Sequence, residues 1–310
     1  MNAIYDILGV PFGFVLKLIF DAVKNYGVAL ILFTLFARLL MFPSSIHQQK
    51  GTAKTQRLQP KLRKIQEKYK GDNKKIQEET QALYQREGHN PMNAGCLPLL
   101  IQMPIIFGLI GVIYNPLTYA LEIPKEYIDV LSASIKEILP ELAKNARTIQ
   151  LSIIDHIDEL RNLIPADYYN KIAGFNFTFL GLPLGQTPNL KEFSKLWVVP
   201  ILSGITSFAT SIFTFIKQKQ TNPEMSKNPA MGCMTFGMPL FSTYFTFLFP
   251  VGIGIYWIAS NVFAFMQTVI LSYTHNPKKM IAKLMIEETI QRRSKEENLK
   301  LVASRKEKNN

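Results

Sequence analysis

Arg38 is the residue whose chemistry most needs explaining. It interrupts the apolar stretch "LILFTLFARLLMFP" at residues 30–43. A guanidinium is a permanent cation with five N–H donors and no acceptor. Placing one in a membrane helix costs roughly 3 kcal/mol on insertion scales and on the order of 10 in simulations of a lone arginine. Such a charge can snorkel to the headgroups, or it can present positive potential to something negative. The four later apolar stretches contain no Asp, Glu, Lys, Arg or His. Relay-type pumping needs carboxylates or histidines within the membrane. Aspartyl proteolysis needs two buried carboxylates, and serine proteolysis needs a base beside the hydroxyl. His47, His89, His156 and His275 all lie outside the apolar stretches. No nucleophile elbow or phosphate loop occurs, and the pair Gly252 and Gly254 lacks the third glycine of a dinucleotide site. Cys96 and Cys233 form neither a disulfide framework nor a metal-binding spacing. These residues indicate a protein that is not an enzyme and requires no cofactor or metal.

What the apolar stretches do carry is uncharged polarity at helical spacing. Ser203, Ser207, Thr210 and Thr214 recur at intervals of 4, 3 and 4. Thr235, Ser242 and Thr246 share a face, as do Trp257, Asn261 and Thr268, with Gln267 slightly off axis. Thr34 lies one turn before Arg38, and Gln102 sits inside the second stretch. Small and hydroxyl residues line helix contacts in many membrane proteins, so packing accounts for each stripe taken alone. Together with a cation lacking a counter-charge, the stripes are accommodated most cheaply around one water-filled cavity.

The elements that must position these groups follow from hydropathy and charge. An apolar run of about 20 residues is needed to cross a bilayer. The pattern predicts spans at 27–43, 94–121, 196–216, 230–249 and 250–273, the last two divided by "FPVGIG". Residues 1–26 mix apolar residues with Pro11, Lys17, Asp21 and Lys24, and the absence of a basic n-region and a small-residue cleavage site argues against a removed signal peptide. They read as an interfacial amphipathic segment. Residues 44–90 hold eleven Lys/Arg against five Asp/Glu, 217–229 three against one, and 273–310 ten against five. Residues 122–194 instead hold seven Lys/Arg against ten Asp/Glu. The positive-inside rule then places 44–93, the loop 217–229 and the basic tail 274–310 in the cytoplasm, and the N-terminus and segment 122–195 outside. The net charge of +12 is thereby one-sided and available to anionic lipid or to ribosomal RNA.

Within 44–93, Leu58, Leu62, Ile65 and Tyr69 repeat at 4, 3 and 4 before the turn signal Gly71-Asp72, and Ile76, Leu83 and Tyr84 resume the pattern up to Gly88. This predicts a cytoplasmic helical hairpin whose first arm is bent at Pro60. The external segment shows helical patterning followed by a loop-like aromatic stretch, "FNFTFLGLPLG", with no recognisable chemistry. The tail reads as a charged extension that becomes disordered toward its end.

The stretch "QRLQPKLRKIQEKYKGDNKKIQEETQALYQREGHNPMNAGCLPLLIQMPIIFGL", residues 56–109, closely resembles the hairpin and following span of YidC-type membrane protein insertases, the YidC/Oxa/Alb superfamily. "FPVGIGIYWIASNVFAFMQ", 249–267, resembles their last-span signature, and Arg38 matches the arginine of their groove. The resemblance implies an all-α membrane protein with five transmembrane helices around a hydrophilic groove, open to cytoplasm and lipid. It implies a membrane insertase and chaperone of the bacterial plasma membrane, whose partners are nascent membrane proteins, the Sec translocon and the ribosome. The resemblance places Arg38 in the groove, and the polar positions Thr34, Gln102, Trp257, Asn261 and Gln267 are assigned to it with Arg38. Family members often carry an amide in the third span where this chain offers only hydroxyls, which assigns Ser207 and Thr210 to the groove. Met103, Met231, Met234 and Met238 on spans two and four supply an adaptable apolar slide for a substrate helix. An anion channel or facilitative transporter would also explain one cation in a wet cavity. Inverted repeats would favour that alternative, and the two halves show no convincing similarity.

Overall fold

Asn25 and Pro43 bracket the helix that carries Arg38. In the computed structural model, which describes residues 3–88, 97–140, 146–221 and 229–308, the Asn25 side chain accepts from the Val28 amide at 3.0 Å and opens that helix. Pro43 has no N–H, and its ring would clash with the carbonyl four residues back, which favours ending the helix before it. The chain therefore forms helix α1 over Ala3–Val23, α2 over Tyr26–Leu40 and α3 over Phe42–Lys68. Arg38 occupies the last turn of α2.

Two compact units emerge, each assembled from separate stretches of chain. The first comprises residues 1–41, 98–215 and 228–266. Its core packs α1 against α2 and extends to α5 (Leu97–Tyr114), where small residues allow close approach. A β-carbon on Gly108 would lie 1.9 Å from the Phe12 ring, and one on Gly13 would lie 2.7 Å from Tyr119. α5 stops at Asn115, whose side chain donates to the Gly111 carbonyl at 2.8 Å, and Pro116 starts the short helix α6, Pro116–Tyr119. Residues 122–194, expected to be partly loop-like, fold onto this core. They contribute α7 (Lys125–Ile138), α8 (Ile149–Asp155), a 3₁₀ turn at Ile157–Leu163 and α9 (Ala166–Ala173). Leu131, Ile135, Ile153, Leu160 and Ile172 are buried among them. The aromatic stretch then forms a two-stranded antiparallel hairpin, β1 (Thr178–Phe179) and β2 (Leu182–Pro183), pairing Thr178 with Pro183 and Phe179 with Leu182.

Three further helices follow, α10 (Val198–Thr221), α11 (Pro229–Thr246) and α12 (Val251–Thr274). Exposed apolar rows such as Ile7, Val10, Phe14 and Leu18 on α1, or Val262, Met266 and Ile270 on α12, are what lipid-facing helices present. Among the described residues, 195–220 and 251–274 are long and apolar enough to cross a membrane, and a third span counts if α2 and α3 are taken as one broken helix.

The second unit comprises residues 42–97, 216–227 and 267–310. In it α3 ends at Lys68, Gly71 adopts a φ of +96°, and Asp72 accepts from the Lys75 amide to cap α4, Asn73–Arg86. Glu87 then pairs with Lys61 and, at 3.4 Å, with Arg57, returning the end of α4 to the middle of α3. Leu58 and Leu62 are buried, while Ile65 and Tyr69 are half-buried. The tail departs from the expected disorder. It is the helix α13, Pro277–Lys308, and it packs along α3. Ion pairs one turn apart, such as Arg292–Glu296 at 3.0 Å, support helix in a sequence that composition alone marks as solvated.

Candidate functional site

Two clusters of polar side chains form between the apolar helices of the first unit. In one, the Arg38 guanidinium donates to Ser260 Oγ on α12. One turn earlier on α12, the buried Tyr256 hydroxyl accepts from Gln102 Nε2 on α5 and lies within electrostatic reach of Arg38. Three helices thus meet around a cation that no carboxylate of a described residue pairs with. Its ligands are neutral, so the positive charge is oriented without being cancelled. In an environment of low dielectric that potential reaches further than it would in water. Ser260 and Tyr256 carry no signal in the sequence beyond sitting in an apolar span. Only the i, i+4 relation of Tyr256 to Ser260, opposite Arg38, could have singled them out.

The second cluster joins α10, α11 and α12. Asn261 Nδ2 donates to the Ser203 carbonyl and to Thr206 Oγ1, both at 3.3 Å, and Thr210 Oγ1 donates to the Asn261 carbonyl at 3.4 Å. Thr246 Oγ1 reaches Ser203 Oγ at 3.1 Å. A β-carbon on Gly204 would lie 2.5 Å from Thr243 Oγ1, so backbones approach closely here. These are the interhelical hydrogen bonds and small-residue contacts by which membrane helices associate.

The remaining positions divide. Thr34 is buried and donates back to the Leu30 carbonyl at 2.7 Å, which satisfies its hydroxyl within its own helix. Ser207 is half-buried on α10. Trp257 packs edge-on against Phe245, ring centres 5.4 Å apart. Gln267 belongs to the second unit, and its Nε2 is buried with no hydrogen-bond partner among the described residues. Met103 and Met238 are exposed. The side chains of Met231, Met234 and Cys233, and the whole of Cys96, lie outside the described residues. No group of three or more His, Cys, Asp or Glu that could hold a metal occurs among the described residues.

At the start of α2, away from Arg38 in its last turn, aromatic side chains pack together. Tyr26 lies 5.6 Å from Phe175 and 5.0 Å from Phe177 between ring centres, and Phe20 lies 5.5 Å from Phe175. Phe179 covers Gly27, where a β-carbon would lie 2.3 Å from its ring. Beyond, the Leu184 and Gln186 carbonyls accept from the Gly252 and Val251 amides at 2.9 and 2.8 Å, satisfying donors that the first turn of α12 leaves unpaired.

Comparison with known proteins adds an independent observation. A family profile described as 60Kd inner membrane protein matches residues 18–279. A membrane protein insertase YidC of Oceanobacillus iheyensis is 30% identical over 271 residues, covering 84% of this chain and 77% of that protein. Proteins of the same name from Treponema denticola and Wolinella succinogenes are 29% and 28% identical, covering 84% and 88% of this chain. This chain spans only 36% and 38% of those two relatives' lengths.

Proposed function

Because this chain belongs to the family of 60Kd inner membrane proteins, we propose that it is a membrane protein insertase and chaperone, which accepts short hydrophilic segments of nascent membrane proteins beside Arg38. It is a multi-pass membrane protein, and we place it in a bacterial inner membrane. The observation that carries the reading is the Arg38 cluster. A cation held by Ser260 and lacking a carboxylate partner among the described residues is accommodated in a membrane at least cost where water or a transient anion attends it. An acidic extracytoplasmic tail of a substrate is such an anion. The substrate's apolar helix then leaves along exposed faces such as those bearing Met103 and Met238. Burial of that helix in lipid supplies the free energy, so no nucleotide is consumed.

In this reading five spans, 27–43, 94–121, 196–216, 230–249 and 250–273, surround a hydrophilic groove. Gln102, Ser207, Thr210, Trp257 and Asn261 line it with Arg38. The α3–α4 hairpin, the loop 217–229 and the tail face the cytoplasm, where Lys and Arg meet anionic lipid and ribosomes. The Sec translocon is a second partner. Purified protein in translocon-free vesicles should protect a short single-span substrate with an acidic N-terminal tail from external protease. Arg38→Lys should retain most of that protection and Arg38→Glu very little. Protection no greater than in empty vesicles would refute autonomous insertion.

A further inference from the structure

We propose that the Leu180–Gly181 turn of the β-hairpin is a membrane anchor seated at the boundary between headgroups and acyl chains, with Phe193 as a second point of entry. The side of the bilayer rests on the proposed reading of 122–195 as external; contact with lipid does not. The hairpin is tied to the ends of two apolar helices. Phe179 covers Gly27 in the first turn of α2. The carbonyls following β2 accept from Val251 and Gly252 in the first turn of α12. The hairpin is therefore held at the level where these helices begin.

At its tip, Leu180 and Gly181 have φ values of +51° and +74°, the pattern of a tight two-residue turn that favours Asn-Gly or Asp-Gly. Leucine adopts that region at a cost, and here its side chain is 84% exposed. The backbone cost is steric and the same in any solvent, but water adds the cost of an exposed apolar side chain, which acyl chains remove. Phe193 is 83% exposed and rests on Trp197, ring centres 5.3 Å apart. The Trp197 indole N–H is fixed by the Asn189 and Glu192 carbonyls at 2.9 and 3.0 Å. Trp197 leads directly into α10, where exposed Val198, Ile201 and Ile205 continue the apolar surface begun at Phe193. Exposed Lys191 and Lys195 stand on either side of Phe193. Aromatic rings flanked by lysines at the end of a span are the composition that a bilayer interface selects. A bilayer, rather than a soluble partner, is thus the occupant continuous with the surface already present.

The test uses the full chain with Cys96→Ser and Cys233→Ser, carrying single nitroxide labels through Leu180→Cys, Phe193→Cys or, as a solvent control, Glu126→Cys. After reconstitution in phosphatidylcholine–phosphatidylglycerol vesicles, collision rates with oxygen and with a water-soluble nickel chelate are compared. Labels at 180 and 193 should collide more with oxygen than with the chelate, and the label at 126 should show the reverse. Chelate-dominated collisions at 180 would overturn the proposal, as would a label shielded from both reagents, which signals burial against protein. Circular dichroism of the reconstituted proteins reports folding, and absence of insertion activity in the folded, unlabelled chain would count against the insertase reading alone.

Discussion

Arg38 gains orientation from a serine hydroxyl and loses no charge to it. A hydrogen bond to a charged group is worth about 1.5 kcal/mol or more, close to a factor of ten in population. Ser260→Ala should therefore lower the initial rate of substrate protection by up to about tenfold. Arg38→Ala, which removes the charge itself, should cost more; equal losses would mean that Ser260 does more than hold the arginine. Arg38 itself is legible in the sequence because a cation in an apolar run has no bland composition to hide in. Tyr256 and Ser260 are not, since tyrosine and serine are ordinary residues of membrane helices and their role exists only once α2 and α12 meet. The polar stripe of α10 is legible as a pattern but ambiguous in meaning. Its Ser203, Thr210 and Thr214 all bond across or along helices, a use that spacing alone cannot separate from lining a cavity.

At the level of elements, close packing and charge pairing make different demands. Where α1 meets α5, a β-carbon at Gly108 would enter the Phe12 ring, and overpacking of this kind costs about 1–3 kcal/mol. Gly108→Ala should lower the thermal midpoint of the detergent-solubilised protein. Gly237→Ala on α11, where nothing lies within 4 Å of the added carbon, should leave it unchanged or raise it. The return of α4 onto α3 depends instead on Glu87, whose carboxyl the Lys61 ammonium, through its hydrogen bond, and Arg57 hold below the ordinary range. A depressed folded-state pKa contributes stability that is fully present above the unfolded value, about 4.3, and is lost as pH falls through the folded value. Hydrogen exchange in residues 73–86 should accordingly be slow and flat from pH 8 to 5, after correction for intrinsic rates, and accelerate in more acidic solution. Glu87→Gln should abolish that acid-dependent step. Gly71 and Asp72 are readable as a break between helices, because glycine tolerates positive φ and aspartate caps. The pairing of Glu87 with Lys61, and the docking of α13 along α3, join residues too far apart in sequence for periodicity to register.

Over the whole molecule, charge and apolar surface are segregated, and that segregation is what the sequence shows most plainly. Hydropathy suffices for a multi-pass membrane protein, and two long motifs suffice for its family. Residues 122–194 are less legible. Their short helices bury apolar side chains that alternate with charges, and the hairpin tip, with leucine where turn chemistry favours asparagine, contradicts local preference. These are the places where tertiary packing and the surrounding lipid, rather than local propensity, decide the conformation. The central claim, that an uncompensated arginine captures acidic segments, is a claim about electrostatics across one site. It is tested most directly by protease protection in translocon-free vesicles with single-span substrates that differ only in the number of acidic residues in the N-terminal tail. With the native chain, protection should rise as acidic residues are added and fall as salt is raised, and with Arg38→Ala the dependence on tail charge should vanish. An identical dependence on tail charge in both proteins would contradict the account.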